Sequence, residues 1–291
     1  MMCKTLRAVT TSAILSTVIA SFGCGTQAKI SVLEAQSSPA FSKVMMIVFE
    51  NTDFQAAMSQ PNFSRIAHQG GNLTGIFAET HPSQPNYIAM TGGDTYGVRD
   101  DANITIDARN IVDLLESKGK SWKVYAEDLP SVCFLGASSS GYARKHVPFI
   151  SFKNIQTNAA RCAHIVPATQ LQSDIAAGQI PDYSYYVPNI RNDGHDTGVA
   201  YADTWLGQTF GPIMGSSTFA NNVTLILTFD EGSRTGNNQI YTSFWGKGVR
   251  AGAVDASRYD HYSLLKTIET GMGLGDLGKK DASAPVISGI W

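Results

Sequence analysis

Two short apolar runs in this chain end in acidic pairs. Val44–Phe49 (VMMIVF) leads directly into Glu50-Asn51, and Val223–Phe229 (VTLILTF) leads directly into Asp230-Glu231. An unbroken apolar run with β-branched residues is the pattern of a strand buried on both faces, as in a parallel sheet. In open α/β sheets, ligands bind beyond the carboxyl ends of the strands. Two such strands bring Glu50, Asn51, Asp230 and Glu231 to the functional edge of one sheet. The carboxylates among them repel unless a cation or shared protons relieve them. The pattern constrains the chain to an α/β fold with a charged edge, and that edge points to a metal site and to catalysis.

The rest of the sequence alternates in the same sense. Leu73–Ala78, Trp122–Ala126, Tyr183–Val187 and Gln239–Trp245 read as further strands. Helices are expected after Asp107, which would cap a segment carrying Ile111, Leu114 and Leu115 up to Gly119. Others are expected over Ala168–Ala177, over Val199–Phe210 and through Leu264, Leu265, Ile268 and Met272. Alternating strands and helices predict a mostly parallel central sheet covered on both faces.

Four further polar segments stand out, two of them following expected strands. HPSQPNY (His81–Tyr87) follows Leu73–Ala78, with Pro85 suited to the first position of a helix. Ser83 then sits just ahead of a helix N-terminus, where free N–H groups favour an anion. Such a Ser is a nucleophile if a metal lowers its proton affinity. Asn86, in the first turn, would donate to a phosphoryl oxygen. The alternative is plain helix capping. PNIRNDGHDTG (Pro188–Gly198) follows Tyr183–Val187 and packs Asp193, His195 and Asp196 together. A His among carboxylates binds metal or is held protonated as a general acid; an Asn/Asp/Gly turn is the bland alternative. In RYDHYSLLKTIE (Arg258–Glu269), Asp260-His261 precede the late helix, with Asp260 placed as its N-cap. YARKHVPF (Tyr142–Phe149) adds Lys145 and His146, either neutralising an anionic substrate or lying on a solvated surface.

The N-terminal segment reads as an export signal over 1–24. Lys4 and Arg7 precede the mostly apolar stretch Ala8–Phe22, which is short for a bilayer span. Gly23-Cys24 resembles the end of a bacterial lipoprotein box, with Ser21 where Leu is usual, so a lipid anchor at Cys24 and simple secretion both stay open. Residues 25–40 read as a tether and 41–291 as one domain. The net charge of −2 becomes more acidic without Lys4 and Arg7, which argues against nucleic-acid binding. Export also bears on the remaining cysteines. Cys133 and Cys162 are an even pair in an oxidising compartment, which suggests a disulfide; two buried thiols are the alternative.

Taken in order, IVFEN (47–51), FAETHPSQPNY (77–87), YAEDLPSVC (125–133), GYARKHVPF (141–149), VPNIRNDGHD (187–196), TFDEG (228–232) and YDHYSLLKTIE (259–269) resemble a known family. The chain is similar to the phosphoesterase family of secreted acid phosphatases and phospholipases C, within the alkaline phosphatase superfamily. The resemblance implies a three-layer α/β/α sandwich of the alkaline phosphatase type. It implies a divalent metal of unstated identity held by Glu50, Asn51, Asp230 and Glu231 with Ser83, and Ser83 as nucleophile. Asn86, Lys145, His146 and His195 would surround the phosphate, with His261 completing the pocket and His81, Asp193, Asp196 and Asp260 nearby. The two-metal members carry Asp-His where this chain has Asp230-Glu231, and an Asp where it has Arg191. Both departures favour one metal. The implied substrates are small phosphate monoesters, including phosphoinositide headgroups, with no membrane partner beyond an anchor at Cys24.

Three rivals bear on the reading. A sulfatase needs an Arg after Ser83-Gln84-Pro85-Asn86, and Tyr87 stands there. A phosphodiesterase or phospholipase C would use the same site with a different pocket wall. A non-catalytic surface lipoprotein predicts decay of these positions, whereas each holds a residue able to do its task.

Overall fold

The structure is a computed structural model, and it describes residues 38–291. The expected export signal, the anchor position Cys24 and most of the expected tether lie outside those residues. No described helix is long and apolar enough to cross a membrane.

The sheet follows from the apolar runs. Its strands are β1 (Lys43–Phe49), β2 (Gly71–Leu73), β3 (Trp122–Ala126), β6 (Ile165–Pro167), β7 (Tyr183–Val187), β8 (Val223–Phe229), β9 (Thr242–Gly246) and β10 (Ala253–Asp255), with β4 (Ser138–Ser139) and β5 (Tyr142–Ala143) forming a separate small hairpin. The spatial order is β10-β2-β9-β8-β1-β7-β3-β6. β1, β7 and β8 are central and their apolar residues are buried, as the unbroken apolar runs of β1 and β8 require. Within the eight-stranded sheet every strand pairing is parallel except those of β9, which runs antiparallel to both β8 and β2. β9 returns from β8 through a loop without a crossover helix, a connection that antiparallel neighbours allow and parallel ones do not.

An aromatic cluster holds the ends of β1 and β8. Phe63 packs on Phe49 and Tyr241 at centroid separations of 4.9 and 5.2 Å, and Phe49 packs on Phe229 at 5.4 Å. Buried aromatic pairs of this geometry add to the stability of plain area burial. They therefore hold the strand ends that carry Glu50 and Asp230.

Several boundaries differ from the sequence expectation. Asp107 does not cap the helix Ile111–Ser117; Asn110 does, accepting from Val112 N at 2.9 Å while Asp113 accepts from Asn110 N at 2.9 Å. The cap belongs beside the first apolar position of the stripe, and Asp107 is too far upstream. The strand expected over Leu73–Ala78 stops at Leu73. A side chain on Gly75 would meet the Ser257 carbonyl oxygen at 2.3 Å, and beyond this close approach Ile76 and Phe77 make only single bridges. The helix after His81 begins at Ser83 and not at Pro85. Asp260 caps the late helix His261–Met272 as expected, in a box with Ser263. Cys133 and Cys162 form a disulfide, with their Cα atoms 5.1 Å apart.

That late helix also buries an acid away from the strand ends. Both carboxyl oxygens of Glu269 are buried without a donor, and buried Asp281 already accepts from Leu277 N and Lys279 N. Burial, then the Asp281 charge, raises the Glu269 carboxyl to about 9. Folded protein therefore keeps a proton that the unfolded chain loses above its ordinary value of 4.5. The stability this provides is complete below that value and is lost as pH rises toward about 9, by at most about 1.4 kcal/mol per pH unit. Glu269→Gln is expected to flatten the neutral-to-alkaline fall in stability. Thermal midpoints of both proteins across that range check this; parallel profiles would contradict it.

Candidate active site

The in-register parallel pairing of β1 with β8 matches Phe49 with Phe229, so Glu50 and Asp230 leave the sheet side by side. Asp230 N donates to Phe49 O at 3.0 Å, and Asn51 N donates to Asp230 Oδ1 at 3.2 Å. Asn51 reaches that position with a left-handed φ of 51°. Asn is among the few non-glycine residues that tolerate it.

The helix Ser83–Gly92 delivers the hydroxyl. Each of its residues is buried, so it is fixed by packing rather than by an amphipathic face. Ser83, only 2% exposed, donates from Oγ to Glu50 Oε2 at 2.9 Å and reaches Glu231 Oε1 at 3.4 Å. One hydroxyl thus joins the carboxylates of both strand ends. His81 Nδ1 contacts the other oxygen of Glu231.

Charge is arranged in layers behind this group. His146 lies between two carboxylates, Nε2 2.9 Å from Glu50 Oε1 and Nδ1 3.1 Å from Asp193 Oδ2. Tyr87 stacks on its ring at 5.2 Å. Burial opposes the imidazolium, but Glu50 and Asp193 outweigh it and hold His146 up at about 9. Burial likewise works to raise Glu50, yet His146 and Lys145 hold it down at about 2. Asp230 has no such partner. Its burial, then the charges of Glu50 and Glu231, push it well above the usual carboxylate range.

The loop after β7 supplies the remaining groups. Asp193 is fully buried and accepts from His195 N at 2.8 Å. The His195 ring stands at the surface with Nδ1 2.7 Å from Asp196 Oδ1. A cavity of about 390 Å³ opens over Ser83. Asn51, Glu231, Lys145 and His195 line it, together with Pro82, Asp101, Gly232, Ser233 and Arg234. The volume lies within the range typical of small-molecule sites, roughly 300–1,000 Å³.

Three expected phosphate contacts lie elsewhere. Asn86 is in the first turn as expected, but it is fully buried. Its Oδ1 accepts from Glu79 N and Thr80 N, and its Nδ2 donates to Thr80 O and Pro82 O. The amide is spent on holding the loop that enters the Ser83 helix. His261 is also fully buried, and its Nε2–H donates to Asp230 O at 2.6 Å. Burial pushes it down to about 4, so it is a neutral support for the β8 end. His146 is 1% exposed and supports Glu50 rather than lining the cavity. Sequence reasoning missed Asp101 and Arg234. Asp101 accepts from Gln84 N at 3.0 Å and from Lys145 Nζ at 3.0 Å, joining the Ser83 helix to the lysine. No sequence signal distinguishes it within Arg99–Ala102.

Among the described residues, no three His, Cys, Asp or Glu side chains gather closely enough to form a metal site by themselves. The unsatisfied atoms mark a different donor set. Asn51 Oδ1 and Asp230 Oδ2 are buried without partners, and the His146 contact to Glu50 Oε1 is misaligned for a hydrogen bond, leaving that oxygen without a donor as well. Buried acceptors are rarely left unpaired. These are hard oxygen donors beside a serine hydroxyl, and their chemistry fits a hard divalent cation.

The family model of the Phosphoesterase family matches residues 58–275. The chain is 36% identical over 261 residues to a probable acid phosphatase of Kluyveromyces lactis, covering 85% of this chain and 62% of that one. It is 35% identical over 265 residues to the phosphatidylinositol-3-phosphatase of Mycobacterium tuberculosis, covering 89% and 86%. The chain thus spans about 60% of the length of some of its fungal relatives, among them an Aspergillus fumigatus acid phosphatase at 58%. In fold it is similar to a crystal structure of an alkaline phosphatase superfamily protein from Vibrio parahaemolyticus, with a TM-score of 0.63 and 14% identity over 87% of this chain and 72% of that one.

Proposed function

The chain belongs to the phosphoesterase family, and we propose that it is an exported, metal-dependent phosphomonoesterase of the acid-phosphatase type, acting through a phosphoserine at Ser83. The observation that carries this is the Ser83 hydroxyl, held at a helix start between Glu50 and Glu231 beneath a polar cavity. The relatives support the reaction class, since fungal acid phosphatases and a phosphatidylinositol-3-phosphatase align over most of the chain. Phosphoinositide headgroups are accordingly among the proposed substrates. Export rests on the signal pattern of residues 1–24, and lipidation on Cys24.

Glu50, Asn51, Asp230 and Glu231 would hold the cation together with Ser83 Oγ. Bound there, it would act as a Lewis acid toward the serine oxygen and the phosphoryl group. Glu50 is a weak base, because His146 stabilises its charge; it orients the Ser83 hydroxyl and adds its charge to the site. Lys145 lines the cavity and offsets phosphate charge. Ser83 Oγ attacks phosphorus in line as its hydroxyl proton passes to Glu231 Oε1, 3.4 Å away; the bond from phosphorus to the alcohol oxygen breaks, and His195 in its protonated form gives that oxygen a proton. The neutral imidazole then takes a proton from water, whose oxygen displaces Ser83; Glu231 returns the proton to Ser83 Oγ and inorganic phosphate is released. Positioning and electrostatics supply most of the acceleration in such transfers.

The test compares purified protein on p-nitrophenyl phosphate and bis-p-nitrophenyl phosphate at acid pH. The monoester is expected to react faster by roughly ten-fold or more, since pocket walls that fit one ester reject another by that order. Faster hydrolysis of the diester would establish the phosphodiesterase alternative, and no turnover of either would overturn both readings.

A further inference from the structure

The cavity holds more cationic groups than its floor uses. Lys145 already shares its charge with Asp101 at 3.0 Å. Arg234 also lines the cavity, is exposed, and enters no side-chain hydrogen bond or ion pair among the described residues. It comes three residues after Glu231, on a loop that is tied down firmly. Ser233 N donates to Asp53 Oδ1 at 2.9 Å, Ser233 Oγ donates to Asp53 Oδ2 at 2.5 Å, and Gly232 N donates to Asn238 Oδ1 at 2.8 Å. The loop backbone presses on Asp53 so closely that a Cβ on Gly232 or Gly236 would come within 2.6 or 2.5 Å of its Oδ1. The backbone carrying Arg234 is thus anchored to Asp53, just beyond β1, while its guanidinium is left without a protein partner among the described residues. No Phe, Tyr or Trp lines this cavity, so nothing there favours an aromatic or lipid-like leaving group.

We propose that Arg234 is a specificity-determining residue that binds a second anionic group carried by the leaving alcohol, so that the site favours compact, polar bisphosphates over monoesters of neutral alcohols. This rests on Ser83 being the nucleophile of a phosphomonoesterase. During transfer the bond from phosphorus to the alcohol oxygen breaks and the bond to Ser83 Oγ forms, while the second phosphate stays on the alcohol and against Arg234. Arg suits the task because its planar fork of donors matches a phosphate in two places at once, whereas Lys offers a point charge.

The test measures kcat/KM for fructose 1,6-bisphosphate and for p-nitrophenyl phosphate at one ionic strength, in wild type, Arg234→Gln and Arg234→Lys. The ratio of the two values is expected to fall roughly ten- to hundred-fold in Arg234→Gln, the effect of losing a hydrogen-bonded charge pair, chiefly through KM for the bisphosphate. Arg234→Lys is expected to recover part of the ratio. An unchanged ratio in Arg234→Gln, or a wild type that turns over p-nitrophenyl phosphate but not the bisphosphate, would overturn this inference alone. A wild type inactive on both would overturn the phosphatase reading and this inference with it.

Discussion

Ser83→Ala is expected to lower kcat for p-nitrophenyl phosphate by roughly three to six orders of magnitude, the range seen when a covalent nucleophile is removed and the rest of a site is kept. The loss should not come from unfolding. Ser83 is buried in a helix start held by Asp101 on Gln84 N and by Asn86 on the preceding loop, and these contacts do not involve the hydroxyl. Removing Oγ takes one donor from Glu50 Oε2, and Glu50 keeps its charge contact with His146. A stability change of about 1–3 kcal/mol follows from leaving a buried acceptor unpaired. Steady-state rates with thermal midpoints on the same samples separate the two effects. A variant that folds and keeps near wild-type turnover would remove Ser83 from the chemistry.

Removing divalent cations is expected to have an effect of similar size. The charge balance at the strand ends supports this. His146 answers Glu50 and Asp193, and His81 answers Glu231, but Asp230 faces Glu50 and Glu231 with no cation of its own. A bound cation would let Asp230 ionise and would occupy the unpaired Asn51 Oδ1 and Asp230 Oδ2. Exhaustive chelation should therefore reduce turnover by at least about three orders of magnitude, equivalent to about 4 kcal/mol of lost transition-state charge stabilisation. A second readout does not depend on activity. A cation that binds only the folded state raises the thermal midpoint with its concentration. That rise should be present in the chelated wild type on adding Mg²⁺, Mn²⁺ or Ca²⁺, and much smaller in Asp230→Asn. Full activity after chelation, with a midpoint that no cation moves, would remove the metal from the account.

The two strand ends were legible because the sequence states them twice. A continuous apolar run has few places to go except the middle of a parallel sheet, and the acid after it must then emerge at the edge. β3 and β7 were legible from their aromatic and β-branched residues, and their bounds match the sequence reading. The direction of β9 was not legible, since a five-residue strand carries the same pattern whichever way it runs. The histidines show a different limit. His146, His195 and His261 all stand in polar motifs, yet only His195 opens onto the cavity. The ring of His146 is claimed by Glu50 and Asp193, far apart in sequence, and that of His261 by the Asp230 carbonyl. Residue type reveals the chemistry of an imidazole, and tertiary packing decides which partner receives it. Arg234 and Asp101 were hidden for the opposite reason, because charged residues in polar loops usually face only solvent.

The central claim is the covalent step at Ser83, and the stereochemical course of transfer tests it most directly. Phosphoryl transfer from an isotopically chiral phosphate monoester to an acceptor alcohol would be followed in the wild-type protein. Two successive in-line displacements, one onto Ser83 and one off it, each invert the phosphorus, so retention overall is predicted. Net inversion would mean a single direct displacement by the acceptor and would contradict a phosphoserine intermediate.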